Sequence, residues 1–363
     1  MNLVRKCFQP ANGILFGLLA IALNAAAHHF PASTEAWYSR GFYLWIRKAW
    51  EWLFAWMPWP AFYLFWVVVA TYLIYLGYRT WTQKGVVSRL GYLLVRLLAF
   101  SGFLIGSFFL LWGYNYARTP LTEQLSLNPE PLDSLQIWTA LERETMEVAR
   151  LRNQLVGADT LPLSGHQLWP TSAEDTVRMA VQYWLEAQGF PANSIVRGRM
   201  IKPDGLLFSF GASGIYWPWV GEGNLESGMH PLRILPAMAH EMSHAYGFGD
   251  EGVCNFIAYA ALARHTNPYL AYAAHLDYWG DLARACRRQY PAFFQASFLP
   301  RIPTGVLADE EDIRRQHARY QELAPAIRYQ VYDSYLKAQG IASGMLNYNE
   351  VIMLVEAWIK KGY

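Results

Sequence analysis

Read for its apolar and polar positions, the chain changes character near residue 117. Residues 7–34 carry no Asp, Glu, Lys or Arg, and Gly13 to Ala27 is almost wholly apolar behind Arg5 and Lys6. That run predicts a first membrane span at about 12–29. It also fits a secretory signal, because Ala25-Ala26-Ala27 has the small residues of a cleavage site. Met57 to Tyr78 is 22 residues without a charge, and Leu97 to Ala117 is 21 more. Both are long enough to cross a hydrocarbon core, which predicts spans at 57–78 and 97–117. Between the first two spans, Tyr38, Phe42, Trp45, Ala49, Trp52 and Trp56 recur at alternating steps of four and three, while Arg40, Arg47, Lys48 and Glu51 fall off that stripe. The spacing predicts an aromatic-faced helix over 35–56, either lying in the headgroup layer or packed on the neighbouring spans.

From Arg118 the pattern is that of a water-soluble domain. Thr119-Pro120 and Asn128-Pro129-Glu130-Pro131 read as a linker. Asp133 or Ser134 can cap a helix running to about Leu155, and a second helix is expected from Ser172 to Gln188, ended by Gly189. The Gly-rich, aromatic stretch from Ile195 to Leu225 reads as extended chain with a possible hairpin. Helices are then expected at roughly 255–264, 269–288, 309–323, 327–339 and 348–360. The acidic run Asp309-Glu-Glu-Asp312 is read as the charged start of one of them.

Composition adds the membrane reading and removes one alternative. The chain of 363 residues has 16 Trp and only 16% charged residues, with the aromatic excess in its first third, while a net charge of +2 argues against a nucleic-acid partner. Three cysteines make no disulfide framework, and Cys254 and Cys286 read as small buried residues in helices. The connector from Arg79 to Arg96 holds Arg79, Lys84, Arg89 and Arg96 and no acid. The positive-inside bias puts it in the cytoplasm with Arg5 and Lys6, and everything after Ala117 outside.

The chemistry is concentrated in Pro236 to Asn255, which contains H-E-x-x-H. On a helix, His240 and His244 project from one face, where two imidazoles can converge on Zn²⁺. Glu241 stands beside the metal position, where a carboxylate can take a proton from water. Leu235, Met238, Ala239 and Met242 supply an apolar packing face, and Pro231 or Pro236 suits a first helical turn. Two residues compete as third ligand. Asp250 completes H-E-x-x-H-x-x-G-x-x-D, with Ser343-Gly-Met345 as an imaginable Met-turn, yet it also stands where the next helix needs an N-cap. Glu251 pairs instead with Asn255 as E-x-x-x-N, where Glu251 would bind the metal and Asn255 would accept the other ring N–H of a ligand histidine. Glu251 is the preferred reading.

The run from His240 to Tyr259 resembles the corresponding segment of a bacterial family of three-span membrane proteins, a domain of unknown function with a gluzincin-like zinc site. Further matches are Tyr114 to Leu121, Gly214 to Asn224, Val331 to Lys337 and Asn347 to Val351, so the resemblance covers most of the chain. It implies that Glu251 is the family's acidic ligand and that the chain sits in the bacterial cytoplasmic membrane with its C-terminal domain extracytoplasmic. Gly223 and Cys254 depart from it, both where Ala is expected.

The fold class expected is mainly α: a bundle of three transmembrane helices within 1–117, then an α-rich (α+β) zincin-like domain over 118–363 with a small β edge. The function expected is a zinc-dependent peptidase acting on a peptide or protein, with Glu241 as general base and His240, His244 and Glu251 as ligands. Tyr272, His275, Tyr332 and Tyr335 are candidate oxyanion donors. Tyr216, Glu222 and Asn224 lie in the stretch expected to form a substrate-binding edge, with Glu222 and Asn224 loosely similar to an amine-holding loop of some gluzincin aminopeptidases. The rival readings are a zinc-binding sensor or envelope-assembly protein that does not turn over, and an amidase of cell-wall peptides.

Overall fold

A computed structural model describes residues 9–163, 169–341 and 350–362. The Met-turn candidate Ser343 to Met345, residues 347–349 of the Asn347 to Val351 match, and Arg5, Lys6 and Cys7 lie outside the described residues. The chain forms two compact units. One is Met1–Thr119 with Trp217–Glu222; the other is Pro120–Tyr216 with Gly223–Tyr363. Longer helices are numbered here in chain order.

The first unit contains three helices long and apolar enough to cross a membrane: α1 (Pro10–Ala27), α3 (Phe62–Trp81) and α4 (Val86–Leu111). Their limits differ from those the charge pattern predicts. Pro58 and Pro60 disfavour a helix at Met57, so α3 starts only at Phe62. Arg89 and Arg96 lie inside α4, which starts after Gly85 in the left-handed region (φ 83°). Long guanidinium side chains let charge sit within a helix and still reach polar surroundings. Arg89 lies over the Trp81 ring at 5.0 Å and Arg96 over Tyr92 at 5.3 Å. The connector expected from Arg79 to Arg96 is therefore mostly helix.

Helices α1 and α4 touch backbone to backbone. A Cβ on Gly17 would lie 2.7 Å from Gly102 Cα, and one on Gly102 would lie 2.4 Å from Gly13 O. Gly13-x-x-x-Gly17 and Gly102-x-x-x-Gly106 thus form one small-residue seam, the means by which helices approach closely in lipid.

The aromatic helix expected over 35–56 is a π-helical stretch, Thr34–Phe42, followed by α2 (Tyr43–Phe54). The wider π turn changes the phase, and the stripe splits. Tyr38 donates to the carbonyls of Phe109 (3.2 Å) and Leu110 (2.9 Å), whereas Trp45, Trp52 and Trp56 are 77%, 79% and 73% exposed. Tyr43, Ile46 and Arg47 are buried on the other side of α2.

The segment Trp217 to Glu222 completes this unit. Trp217 packs among Phe62, Phe65 and Trp66, and the Trp219 indole N–H donates to Ser107 Oγ at 2.9 Å. The Glu222 carboxylate, fully buried, accepts from the backbone N–H groups of Ala61 (3.1 Å) and Phe62 (3.5 Å), capping the start of α3.

The second unit is α-rich with one three-stranded sheet. Helix α5 (Ser134–Val156) opens with a capping box in which Asp133 accepts from Gln136 N and the Gln136 side chain accepts from Asp133 N. Helix α6 (Ala173–Ala187) gives way to Gly189 at φ 77°. Strands β1 (Arg197–Ile201), β2 (Gly214–Trp217) and β3 (Glu222–Glu226) are ordered β1-β3-β2, so β3 is central and β2 is an edge. There follow α7 (Pro231–Ala245), α8 (Glu251–Leu262), α9 (Pro268–Gln289), α10 (Thr304–His317), α11 (Pro325–Ala338) and α12 (Val351–Lys360). Helix α10 begins before the acidic run, so Asp309 does not start it. Asp309 is instead fully buried, accepting from Arg152 Nε at 2.8 Å, Leu163 N at 2.7 Å and the Tyr272 hydroxyl. Cys254 and Cys286 are buried free thiols.

Candidate metal centre

Helix α7 exists where the motif needs it because its ends and faces are specified locally. Pro231 opens it, with the His230 ring accepting from Leu232 N, while Pro236 falls inside. Leu235, Met238, Ala239 and Met242 are all buried. Gly198 of β1 admits the helix: a Cβ there would meet Met238 Cγ at 2.6 Å. Helix α8 then starts at Glu251 because Asp250 caps it, accepting from Val253 N at 2.8 Å. The Asp250 carboxylate is engaged there, and Glu251 is the acid that faces the histidines.

The nitrogen and oxygen atoms of His240, His244 and Glu251 converge. His240 Nε2 lies 3.1 Å from His244 Nε2 and 3.1 Å from Glu251 Oε2, and His244 Nε2 lies 3.4 Å from the same oxygen. Among the described residues this is the group of three or more His, Cys, Asp or Glu side chains placed to hold a metal ion. Ligands about 2.0–2.1 Å from a tetrahedral ion stand about 3.4 Å apart, so the spacing fits a small cation.

The tautomers sharpen the case. His240 Nδ1 is 2.7 Å from Asn255 Oδ1 and His244 Nδ1 is 2.7 Å from the Phe248 carbonyl, and both oxygens can only accept. Each Nδ1 therefore carries its proton, which leaves lone pairs on both Nε2 atoms and on Glu251 Oε2 turned toward one another. Three such atoms set together call for positive charge among them, a proton or a cation. Without an ion, the cluster meets this demand by taking up a proton. Burial opposes it, but Cys254 and Glu251 hold the His244 imidazole well above its usual range, and the two histidines hold Glu251 well below its own.

Glu241 stands beside this group, buried, with Oε2 in no hydrogen bond among the described residues. Burial pushes its carboxyl up to about 7, against the lowering effect of His240 and His244, with Glu251 raising it further. Two glycines make its place. A Cβ on Gly214 would lie 2.4 Å from Glu241 Oε1, and one on Gly223 would lie 2.6 Å from Glu241 Cβ.

The other expected site residues divide. Tyr332 reaches the centre, but its hydroxyl donates to Glu251 Oε1 at 2.9 Å and is committed to that side chain. Tyr335 stacks on it with ring centroids 5.9 Å apart. Tyr272 and His275 are elsewhere: the first bonds Asp309, and the second bonds Glu144 Oε2 at 2.6 Å and the Ala263 carbonyl at 3.2 Å. Tyr216 is buried on the edge strand, on the same face as Gly214 by the two-residue period. Glu222 and Asn224 are corrected, because both belong to the central strand. Gly223 points at Glu241, so its neighbour Asn224 points to the opposite face, where its Nδ2 lies 3.5 Å from the Ile215 carbonyl. Glu222 is the buried cap of α3 described above. Sequence reasoning missed the Phe248 carbonyl, which no side-chain pattern reports, and the contact of Cys254, whose Sγ lies 3.4 Å from His244 Nδ1.

The sequence over residues 38–355 matches the family described as Protein of unknown function (DUF3810). No curated protein and no solved structure matches the chain.

Proposed function

We propose that this chain, which belongs to the DUF3810 family of proteins of unknown function, is a membrane-anchored zinc-dependent peptidase. The observation that carries the reading is the convergence of the His240 and His244 Nε2 atoms with one Glu251 carboxylate oxygen, beside a buried Glu241 whose Oε2 has no hydrogen bond among the described residues. His240, His244 and Glu251 would hold the ion. Zinc in such a site supplies Lewis-acid chemistry, making a water acidic near pH ~7 and polarising a carbonyl.

The chain's own residues supply the rest. Glu241, with a carboxyl raised toward neutrality by burial, takes the proton of the attacking water as the oxygen–carbon bond forms. It returns that proton to the departing amine as the carbon–nitrogen bond breaks. Edge strand β2 offers main-chain groups to an extended peptide beside Gly214, where the backbone lies against Glu241 Oε1. The exposed Trp45, Trp52 and Trp56 suit the headgroup layer of a bilayer. Arg79, Lys84, Arg89 and Arg96 favour a cytoplasmic turn between α3 and α4, with the second unit outside the cytoplasmic membrane.

Glu241→Gln tests the assignment. Purified wild-type protein is expected to carry about one equivalent of zinc and to cut an unstructured polypeptide. The variant is expected to keep the zinc and lose hydrolysis by on the order of 10²–10⁴-fold. A variant that retains zinc and cuts as fast as wild type would overturn the role of Glu241. A wild type that binds zinc and cleaves nothing would favour a binding protein over a peptidase.

A further inference from the structure

Each ligand side chain of the candidate centre has its second polar atom occupied by a different part of the chain. His240 is held through Nδ1 by Asn255 and His244 through Nδ1 by the Phe248 carbonyl. Glu251 is held through Oε1 by the Tyr332 hydroxyl, 2.9 Å away. The first two holders are close in sequence to the motif. Tyr332 is not, for it comes from α11, of which only Leu336 is buried while Ile327 and Val331 are 66% and 64% exposed.

We propose that Tyr332 is a positioning residue of the metal centre: its hydroxyl occupies Oε1 of Glu251 and so reserves Oε2 for the cation. A carboxylate has two equivalent oxygens and can present either or both to an ion, which changes the coordination number and the charge the ion feels. A phenol donates one directional hydrogen bond and, facing a carboxylate, can only be the donor. It therefore distinguishes the two oxygens of Glu251, and Oε2 is the one that lies 3.1 and 3.4 Å from the two Nε2 atoms. The same bond commits the hydroxyl, so Tyr332 acts through Glu251 rather than on a substrate carbonyl. Because α11 is lightly packed, losing one hydroxyl from it is felt at Glu251 more than in the stability of the fold.

This inference rests on the metal-binding reading, and the test separates the two. Full-length protein in detergent is loaded with Zn²⁺ and, separately, with Co²⁺ as a spectroscopic probe. Wild type, Tyr332→Phe and Tyr332→Gln are then compared by chelator competition and by visible absorption of the cobalt form. Tyr332→Phe is expected to weaken zinc binding by about 10–100-fold and to change the intensity of the cobalt bands, as Glu251 becomes free to offer both oxygens. Tyr332→Gln, whose amide can still donate, is expected to recover part of the affinity. Wild-type affinity and an unchanged cobalt spectrum in Tyr332→Phe would overturn the positioning role while leaving the centre intact. A wild type that takes up neither ion would overturn the centre itself, and this inference with it.

Discussion

His240 Nδ1 lies 2.7 Å from Asn255 Oδ1, across the turn that joins α7 to α8. The bond fixes the ring so that Nε2 faces His244 and Glu251, and it holds a ring proton on Nδ1. Asn255→Ala removes the acceptor without altering His240, His244 or Glu251. We expect zinc affinity to fall by about 10–100-fold with the fold retained, as measured by chelator competition alongside circular dichroism. Asn255→Asp keeps an acceptor and is expected to lie closer to wild type.

Glu241 gives metal-free protein a pH signature. Its folded pKa of about 7 exceeds the ordinary carboxylate value of 4.5, so between those values the folded state holds a proton that the unfolded state has lost. Stability then falls as pH rises through that window. The cost, roughly 3 kcal/mol for a buried group shifted this far, is fully present above pH ~7. Glu241→Gln removes the titration. Denaturant unfolding of chelator-treated protein at pH 5 and pH 8 should show wild type losing more stability than the variant over that interval. Parallel losses would mean that burial of Glu241 is not its cause.

The glycine seam of the membrane unit makes a separate prediction. Gly17 and Gly102 meet where any side chain would enter the facing backbone. Gly102→Leu should force α1 and α4 apart and destabilise the unit by on the order of 1–3 kcal/mol, seen as a lower melting temperature in detergent. Gly91→Leu, at a position with open space around the added Cβ, should change it little.

What the sequence made legible follows the range of the interactions involved. His240, His244, Glu251 and Asn255 fall within two helices joined by a short turn, so helical periodicity and the capping need at Asp250 were enough to place them. Glu222 and Asn224 were misplaced because their direction depends on which strand is central, and strand order is a long-range property. Asp309 was read as a helix start because its partner, Arg152, is far away in sequence. The limits of α3 and α4 shifted because arginines that end an apolar run need not end a helix. The paired Gly-x-x-x-Gly motifs are a signal for the contact of α1 with α4 that counting apolar residues passes over. Tyr332 was legible only as one candidate among four, since nothing near it in sequence announces that its hydroxyl meets a carboxylate on α8.

The three converging acceptors have a consequence for supply. A fold that aligns two lone pairs and a carboxylate oxygen has already met the cost of bringing them together, and a cation present at 1,000 times its dissociation constant would return about 4.1 kcal/mol to the folded state. With zinc as the proposed ion, the amount of intact second unit would then rise and fall with the zinc available to it.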